Sequence, residues 1–192
     1  MAFISIQPKD FFNTHLYSGN GSTNAQTGVG FQPDWVWLKD RGTSSSHEHY
    51  TFDSVRGATK YLKTNAASAE GTASGITSFD SDGFTLGSSD GMNENGRNFV
   101  SWNWKMGTTS GLSGGTITPS AYSINTNTKM GLYRYTGNGS SSQTIAHGLG
   151  KKPSLIMWKG QDNAEQWRLH FIGDLMSPFG NMLKLNSDDG EK

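Results

Sequence analysis

Large apolar residues alternate with small or polar ones in several short segments of the chain. The pattern is clear in Phe31–Lys39, in Phe99–Lys105 and, on both sides of an Asp-Gly pair, in Ser78–Leu86. Successive side chains of a β-strand point to opposite faces, so these segments predict strands, and the Asp-Gly pair predicts the turn of a hairpin. The dipeptide Asn95-Gly96 predicts a second turn just before the strand that begins near Phe99.

The chain shows no long segment with the period of a helix. Residues 55–62 fit either a short helical turn or an irregular segment, and turn residues recur at short intervals throughout. The composition agrees, because 25 Gly, 6 Trp, 6 Tyr and 10 Phe suit short strands that are joined by tight turns. We therefore predict an all-β fold, an antiparallel β-sandwich.

An internal repeat organises the chain. The segment Tyr17–Ser22 recurs as Tyr135–Ser140, and residues 27–39 recur as residues 146–159, in both cases after about 120 residues. The weaker matches that follow pair His49, Asp53, Leu62, Lys63 and Asn65 with His170, Asp174, Leu183, Lys184 and Asn186. We predict an N-terminal anchor segment at 1–10, a first sandwich repeat at 11–106, a Gly/Ser/Thr-rich linker at 107–128 and an incomplete second repeat at 129–192.

The second repeat is called incomplete because nothing in it matches residues 75–105. Either the chain is a fragment of a longer protein or the half-copy completes itself against another surface, and we favour the fragment. At the other end of the chain, residues 1–10 are apolar enough to add a strand to a neighbouring sheet. The alternative is that Phe11 and Phe12 open the first strand of the sandwich.

The charge balance restricts the classes of partner. Lys plus Arg total 16 and Asp plus Glu total 16, so the formal net charge is zero, which argues against a nucleic-acid partner. There is no cysteine, which excludes disulfides and thiolate metal sites. The N-terminus lacks the features of a secretory signal, and no apolar run approaches the roughly 18 residues of a membrane span, so we expect no membrane insertion.

Four tryptophans form the first candidate site. Trp35 and Trp37 lie two positions apart, as do Trp102 and Trp104, so each pair lies on one face of a strand. Such pairs could form an aromatic platform that stacks on sugar rings, or they could belong to the core of the sandwich. We favour the core, because the second copy has aliphatic residues where the first has Trp35 and Trp37.

Two further groups have the spacing of metal ligands. His47 and His49 would share a face if they lay on a strand, which makes them half of a candidate zinc site. We favour a structural role, because only one of the two has a counterpart in the second copy. Asp80 and Asp82 have the spacing of oxygen ligands in a calcium loop, but the glutamate expected at its twelfth position is missing, and the predicted hairpin turn explains the same residues.

No catalytic constellation emerges from the sequence. The motifs of a nucleophile elbow, a phosphate loop and a zinc peptidase are absent. Gly19–Ser22 and Gly137–Ser140 superficially resemble phosphate loops, but neither leads into a Lys-Ser/Thr pair, so we predict hairpin turns there. Glu48, Asp53 and Glu70 cannot be assigned as an acid and base pair from sequence. We therefore expect neither enzymatic activity nor a cofactor.

The sequence resembles a family of repeated domains found in structural, tail-fibre-like proteins of tailed phages, many of them marine. The segments that carry the resemblance in the first copy are Met1–Asn13, Gly28–Lys39, Phe52–Leu62, Ser78–Gly87 and Phe99–Lys105. Those in the second copy are Tyr135–Gly139, His147–Gly150, Trp167, His170 and Leu183–Asn186. The resemblance implies a jelly-roll or concanavalin-like sandwich, a virion location after synthesis in the host cytoplasm, and other virion proteins as partners. It implies no catalytic residue.

The expected function is therefore that of a virion structural protein, a tail-fibre or appendage component that contributes to host attachment. In that role the loops Gly42–Ser46, Ala66–Ser74 and Ser88–Asn98 would contact a host glycan or surface protein. One alternative is a capsid decoration or head-fibre protein, and another is a carbohydrate-binding module. A polysaccharide-degrading enzyme is the least favoured alternative. The sequence leaves open whether the chain forms a homo-oligomer, since it contains no coiled-coil heptad pattern that would require one.

Overall fold

The computed structural model of the chain describes residues 6–42, 47–172 and 182–187. A 3-10 turn at Pro8–Asp10 precedes the first strand, and one helical turn, α1, occupies Asp90–Asn93. The strands are β1 (Phe12–Ser18), β2 (Asn24–Gln26), β3 (Trp35–Asp40), β4 (Tyr50–Asp53), β5 (Lys60–Lys63), β6 (Gly71–Thr72), β7 (Ile76–Asp80), β8 (Gly83–Leu86), β9 (Asn98–Trp104), β10 (Ala121–Asn125), β11 (Met130–Arg134), β12 (Leu155–Trp158), β13 (Arg168–Phe171) and β14 (Leu183–Lys184).

Strands β1 to β9 form an antiparallel sandwich, the first unit. A six-stranded sheet in the order β1-β9-β3-β4-β5-β6 packs against a three-stranded sheet in the order β2-β8-β7. The core between the two sheets contains Val36, Leu38, Phe52 and Phe99 from the large sheet, Ile76, Phe84 and Leu86 from the small sheet, and Met92 from α1. The prediction of an all-β antiparallel sandwich is confirmed.

The predicted strands and the predicted hairpin are present with small shifts at their ends. The strand expected from residue 31 begins at Trp35, and β7 and β8 pair across the turn at Ser81 and Asp82. Gly83 closes this turn with a φ of +151°, and a Cβ built on it would lie 2.0 Å from the carbonyl oxygen of Gln26. Only glycine fits there. Residues 55–62 contain a turn and the first part of β5, so the helical alternative for them is wrong.

The remaining strands, β10 to β14, form the second unit. Strands β10 and β11 make a two-stranded hairpin, and β12, β13 and β14 make a separate antiparallel sheet. Strand β10 lies inside the segment that was predicted as a linker, which is therefore not a coil throughout. Its alternation of Tyr122 and Ile124 with small residues is the strand pattern, and it is obscured in the sequence by the Ser and Thr around it.

Asp34 joins the two units. Its Oδ1 accepts hydrogen bonds from Ser54 Oγ and from Ser123 Oγ, both at 2.8 Å, and its Oδ2 accepts one from the backbone N–H of Met106 at 2.8 Å. One carboxylate thus contacts the turn after β4, the chain after β9 and strand β10. A carboxylate bound by several donors holds their segments in fixed positions.

The sheet β12-β13-β14 repeats the hydrogen bonds of β3-β4-β5. The backbone N–H of His49 donates to Asn65 Oδ1 at 3.0 Å, and the backbone N–H of Trp167 donates to Asn186 Oδ1 at 2.9 Å. The carbonyl oxygens of His49 and Trp167 accept the N–H groups of Thr64 and Leu185 in the same way. These bonds make Trp167, and not His170, the structural counterpart of His49, because the connection between the paired strands is shorter in the second unit. The tandem repeat as a whole stays a prediction.

The loops that contain the Gly-Asn-Gly sequences are not hairpins, so that prediction is wrong. Gly19–Ser22 connects β1 of the large sheet with β2 of the small sheet, and Gly137–Ser140 follows β11 without a pairing strand behind it. In each loop the Asn side chain accepts the N–H of the Ser two residues later, at 2.8 and 3.0 Å. This local Asx turn occurs in hairpins and in other reversals alike.

Asn93 at the end of α1 holds the loops at one end of the sandwich together. Its side chain is fully buried. Its Nδ2 donates to the carbonyl oxygens of Ser22 and Gly87 at 2.6 and 2.7 Å, and its Oδ1 accepts from Asn24 Nδ2 at 2.8 Å and from the backbone N–H of Asn20. Every polar atom of this buried amide is therefore paired.

Replacing this amide should destabilise the first unit. We expect Asn93→Ala to lower the free energy of unfolding by about 2–3 kcal/mol, because two carbonyls and two donors lose their buried partner. Asn95→Ala, at an exposed position two residues away, is the matched control and should change it by about 0.5 kcal/mol or less. Urea unfolding followed by circular dichroism measures both, and equal losses in the two variants would contradict the assignment.

Candidate functional site: the aromatic outer face

Five aromatic side chains lie on the side of the large sheet that faces away from the core. We call this surface, formed by Phe12, Trp35, Trp37, Trp102 and Trp104, the aromatic face. Phe12, Trp104 and Trp35 are register partners across β1, β9 and β3, and Trp102 and Trp37 are partners in the next row. The tryptophans are half-buried and Phe12 is 37% exposed.

The expectation that these tryptophans belong to the core is therefore wrong. The inward positions of β3 belong to Val36 and Leu38, and those of β9 include Phe99, all of which are fully buried. The alternation correctly placed Trp35 and Trp37 on one face. It could not tell which face, because residues 35–38 of β3 are all apolar.

The rings of the aromatic face pack on one another across the strands. Trp35 stacks on Trp104 with ring centroids 4.4 Å apart, Phe12 lies 5.1 Å from Trp104, and Trp37 meets Trp102 edge-on at 6.2 Å. Pairs of this kind contribute about 0.5–1.5 kcal/mol each beyond the area they bury. The aromatic face is thus ordered in the free protein.

The indole N–H groups in β3 are bound within the protein. Trp35 Nε1 donates to Thr51 Oγ1, and Trp37 Nε1 donates to His49 Nδ1 at 3.2 Å. Both acceptors lie in or directly before β4, the next strand of the sheet. The surface presented by Trp35 and Trp37 is therefore mainly apolar.

The two histidines of the candidate zinc site do not converge. Residues 47–49 lie before β4 and outside any strand, so the alternation assumed for them does not apply. His47 Nδ1 lies 3.1 Å from Asp40 Oδ2, whereas His49 contacts the Trp37 ring. Within the ranges that the structure describes, no group of three His, Cys, Asp or Glu side chains could hold a metal ion.

The two aspartates of the candidate calcium loop bind different parts of the chain. Asp82 accepts the backbone N–H groups of Gly28 and Gly30 at 2.9 and 2.6 Å, and these hydrogen bonds lower the pKa of its carboxyl group. Asp80 Oδ2 accepts the hydroxyl of Thr85 at 2.7 Å. Asp82 therefore holds residues 28–30 against the hairpin, a structural role that requires no ion.

The acidic residues that sequence could not pair are bound to cations. Arg56 Nε lies 2.5 Å from Asp53 Oδ2, and Arg56 Nη1 lies 3.3 Å from Glu70 Oε2. Glu48 contacts Lys63 at 3.4 Å, and its pKa is lowered by the amide of Asn65 and by this lysine. The lowered pKa of Glu48 is opposite in direction to the raised pKa that the general acid of a glycosidase needs.

Two of the three loops expected to contact a receptor contain secondary structure. Ser88–Asn98 contains α1 and the buried residues Met92 and Asn93, and Tyr17 donates its hydroxyl to the carbonyl of Met92 at 2.7 Å. Ala66–Ser74 contains β6, the edge strand of the large sheet. Residues 43–46 of the third loop, Gly42–Ser46, lie outside the described residues.

An open cavity of about 550 Å³ lies where the first unit meets β10. Gln32, Asp34, Lys105 and Tyr122 supply polar groups to its wall. The carboxylate of Asp34 is already bound by three donors, as described above. The Asp34 side chain in its wall is therefore engaged by the protein itself.

A family model described as a domain of unknown function (DUF7483) matches residues 7–192. The chain belongs to this family. The match extends over both units and the segment between them, so the family comprises the sandwich together with the second unit. No curated protein and no solved structure matches the chain. Among the residues described, no helix is long and apolar enough to cross a membrane.

Lowering the pH should destabilise the first unit at the aromatic face, because His49 becomes protonated. Burial, together with the nearby charge of Lys39, lowers the pKa of His49 from its ordinary value of 6.5. The unfolded chain then takes up a proton first as the pH falls, so the stability that His49 contributes is complete above about pH 6.5 and is lost as the pH drops through the lowered pKa. Protonation also removes the acceptor of the Trp37 indole.

We expect the free energy of unfolding to fall between about pH 7.5 and 5.5 by more in the native chain than in His49→Asn, whose amide does not titrate. Urea unfolding at the two pH values measures the difference between the proteins. A loss of the same size in both would show that His49 titrates normally in the folded state.

Proposed function

We propose that this chain is an attachment module of a phage virion appendage and that its aromatic face binds carbohydrate on the host surface. The position of the aromatic face carries the proposal. Five large aromatic side chains line the side of the large sheet opposite the core. Contiguous apolar surface of this kind commonly marks a binding site in a soluble protein.

The chemistry of the aromatic face suits a sugar. A pyranose ring presents C–H groups on its faces and hydroxyl groups around its rim, so it packs on aromatic rings without leaving its polar groups unsatisfied. Thr14, the register partner of Trp102, is exposed beside the rings and offers a hydroxyl group to such a ligand. The N–H groups of Trp35 and Trp37 are already bound, so recognition rests on packing and on hydroxyls at the border.

A rigid sheet is a suitable base for weak, repeated binding. The cross-strand stacking fixes the rings before the ligand arrives, which lowers the entropy lost on binding. An appendage carries several copies of each module, so modest affinities multiply through avidity. The virion setting rests on the resemblance to structural proteins of tailed phages, and the Gly-rich, cysteine-free, charge-balanced composition agrees with it.

Removal of rings from the aromatic face should weaken carbohydrate binding. We expect Trp102→Ala and Phe12→Ala each to raise the dissociation constant of an oligosaccharide selected on a glycan array about tenfold, since each removes a packing surface. Titration of intrinsic tryptophan fluorescence measures the affinity of the native chain and of the Phe12 variant, and calorimetry measures that of the Trp102 variant.

Tyr135→Ala is the matched control, because Tyr135 is 44% exposed but follows β11 in the second unit. Its affinity should equal that of the native chain. Equal affinities in all variants would place the site elsewhere, and the absence of binding to any oligosaccharide would overturn the carbohydrate part of the proposal. If intact phage particles do not bind an antibody raised against residues 11–106, the proposal that the chain belongs to a virion would be overturned.

A further inference from the structure

The outer side of the large sheet continues beyond the rings of the aromatic face. Leu16 and Val100 are partners in the next row of outward positions on β1 and β9, and Ser18 and Asn98 are partners in the row after that. The backbone N–H of Arg41 donates to the carbonyl of Asn98 at 2.8 Å, which places Arg41 beside this last row. An apolar row and then a polar row therefore follow the rings along the sheet.

Two cationic side chains share the outer side of β3 with the rings. Lys39 and Arg41 follow Trp37 at intervals of two residues, so they lie about 7 and 13 Å beyond it along the strand. They are the only charged residues at the outward positions of β1, β9 and β3. Lys39 Nζ donates to the backbone carbonyl of His47, which leaves its charge in place. Besides burial, this charge lowers the pKa of His49.

An open depression of about 190 Å³ lies beside Arg41, with Leu16, Tyr17, Ser18 and Asn98 in its wall. Ser18 Oγ donates to Asn98 Oδ1 at 3.0 Å. Among the described residues, neither the amide N–H groups of Asn98 nor the guanidinium group of Arg41 has a hydrogen-bond partner. The depression thus presents donors, some of them charged, and these suit an anionic group of a ligand.

The acidic side chains at this end of the sandwich lie away from the depression. Asp40 is on the inner side of β3 with its side chain fully buried. Glu94 lies 3.1 Å from Arg97 Nε, and Asp90 belongs to α1, which packs on the inner side of the large sheet. None of the three acids lines the depression, so the charge of Arg41 is not neutralised there.

The acidic side chains on the β4 side of the aromatic face have cationic partners. Asp53 and Glu70 contact Arg56, and Glu48 contacts Lys63. The second unit contacts the large sheet at Lys63 and Glu70, in β5 and just before β6. Strand β5 is roughly 10 Å from β3, whereas exposed charges are screened over about 8 Å at physiological salt. The charges of the second unit are therefore largely screened from the two cations on β3.

We propose that the aromatic face and the depression bind an oligosaccharide of uronic acid, with a sugar ring on Trp37 and Trp102 and a carboxylate at Arg41. This inference rests on the proposed carbohydrate function. A uronic acid keeps the C–H faces that pack on indole rings and carries a carboxylate at the rim of each ring. The planar guanidinium group matches a carboxylate with two parallel hydrogen bonds. Since the carboxylates recur along such a polymer, Lys39 meets a second one.

Matched pairs of oligosaccharides test the proposal on the native chain. Oligomers of glucuronic, galacturonic and mannuronic acid are each compared with their carboxyl-reduced forms, which have the same linkages and no charge. We expect at least one acid to bind about tenfold more tightly than its neutral form in a calorimetric titration. An increase from about 0.01 to 1 M salt should remove this difference, because salt screens charged groups and leaves ring packing in place.

Arg41→Gln tests where the carboxylate binds. Arg41 is exposed, so the change should leave the fold intact. It should raise the dissociation constant of the acid about tenfold and leave that of the neutral form unchanged. Lys151→Gln is the matched control, because it removes the same charge from an exposed position in the second unit, and it should change neither constant.

The outcomes separate this inference from the function on which it rests. Equal affinities within every pair, or binding of other glycans only, such as sulfated ones, would overturn the inference and leave the carbohydrate function standing. Binding of no oligosaccharide at all would overturn both. A preference for the acid that persists unchanged in Arg41→Gln would show that the carboxylate binds elsewhere, and it would overturn the inference as well.

Discussion

The antiparallel pairing of β3 with β9 in the middle of the large sheet determines both the core and the outer surface of the first unit. Trp35 pairs with Trp104 and Trp37 with Trp102, while the residues between them point inward. Side chains alternate with a period of two, so a slip of one residue in one strand would move its rings inward and its core residues outward. The same register therefore builds the hydrophobic core and aligns the rings of the aromatic face.

The local features of this fold could be predicted from the sequence. The strands β3 and β9, the Asp82-Gly83 turn and the all-β class follow from alternation and turn residues alone. The orientation of β3 could not be predicted, because both of its faces are apolar. The role of Asn93 was also missed, since its partners near Asn20 are distant in the sequence and no local pattern indicates a buried amide with long-range hydrogen bonds.

In the candidate site, too, the local spacing of residues could be read from the sequence, whereas their arrangement in space could not. The spacing of His47 and His49 suggested a common face, but the strand begins after them and each ring has a partner from β3. The sequence correctly placed the two tryptophans of each pair on one face of their strand. Their assembly into one surface depends on β3 and β9 lying side by side, and these strands are about 65 residues apart in sequence.

Within the described residues, the second unit repeats the strand pairing of β3-β4-β5 in the first. The hydrogen bonds of β3-β4-β5 recur in β12-β13-β14, so backbone geometry is preserved where side chains have changed. The substitution of aliphatic residues for Trp35 and Trp37 removes the aromatic face from the second unit. The proposed carbohydrate contact therefore involves the first unit.

The central claim is that the tryptophans of the large sheet face outward and form a ligand surface. Oxidative footprinting with mass spectrometry tests it most directly, because it reports the accessibility of each tryptophan separately. We predict that Trp102 and Trp104 are modified faster than Trp167, which is only 6% exposed, and that a bound oligosaccharide slows the first two alone. Modification of Trp102 and Trp104 that is as slow as that of Trp167 in the free protein would contradict the account.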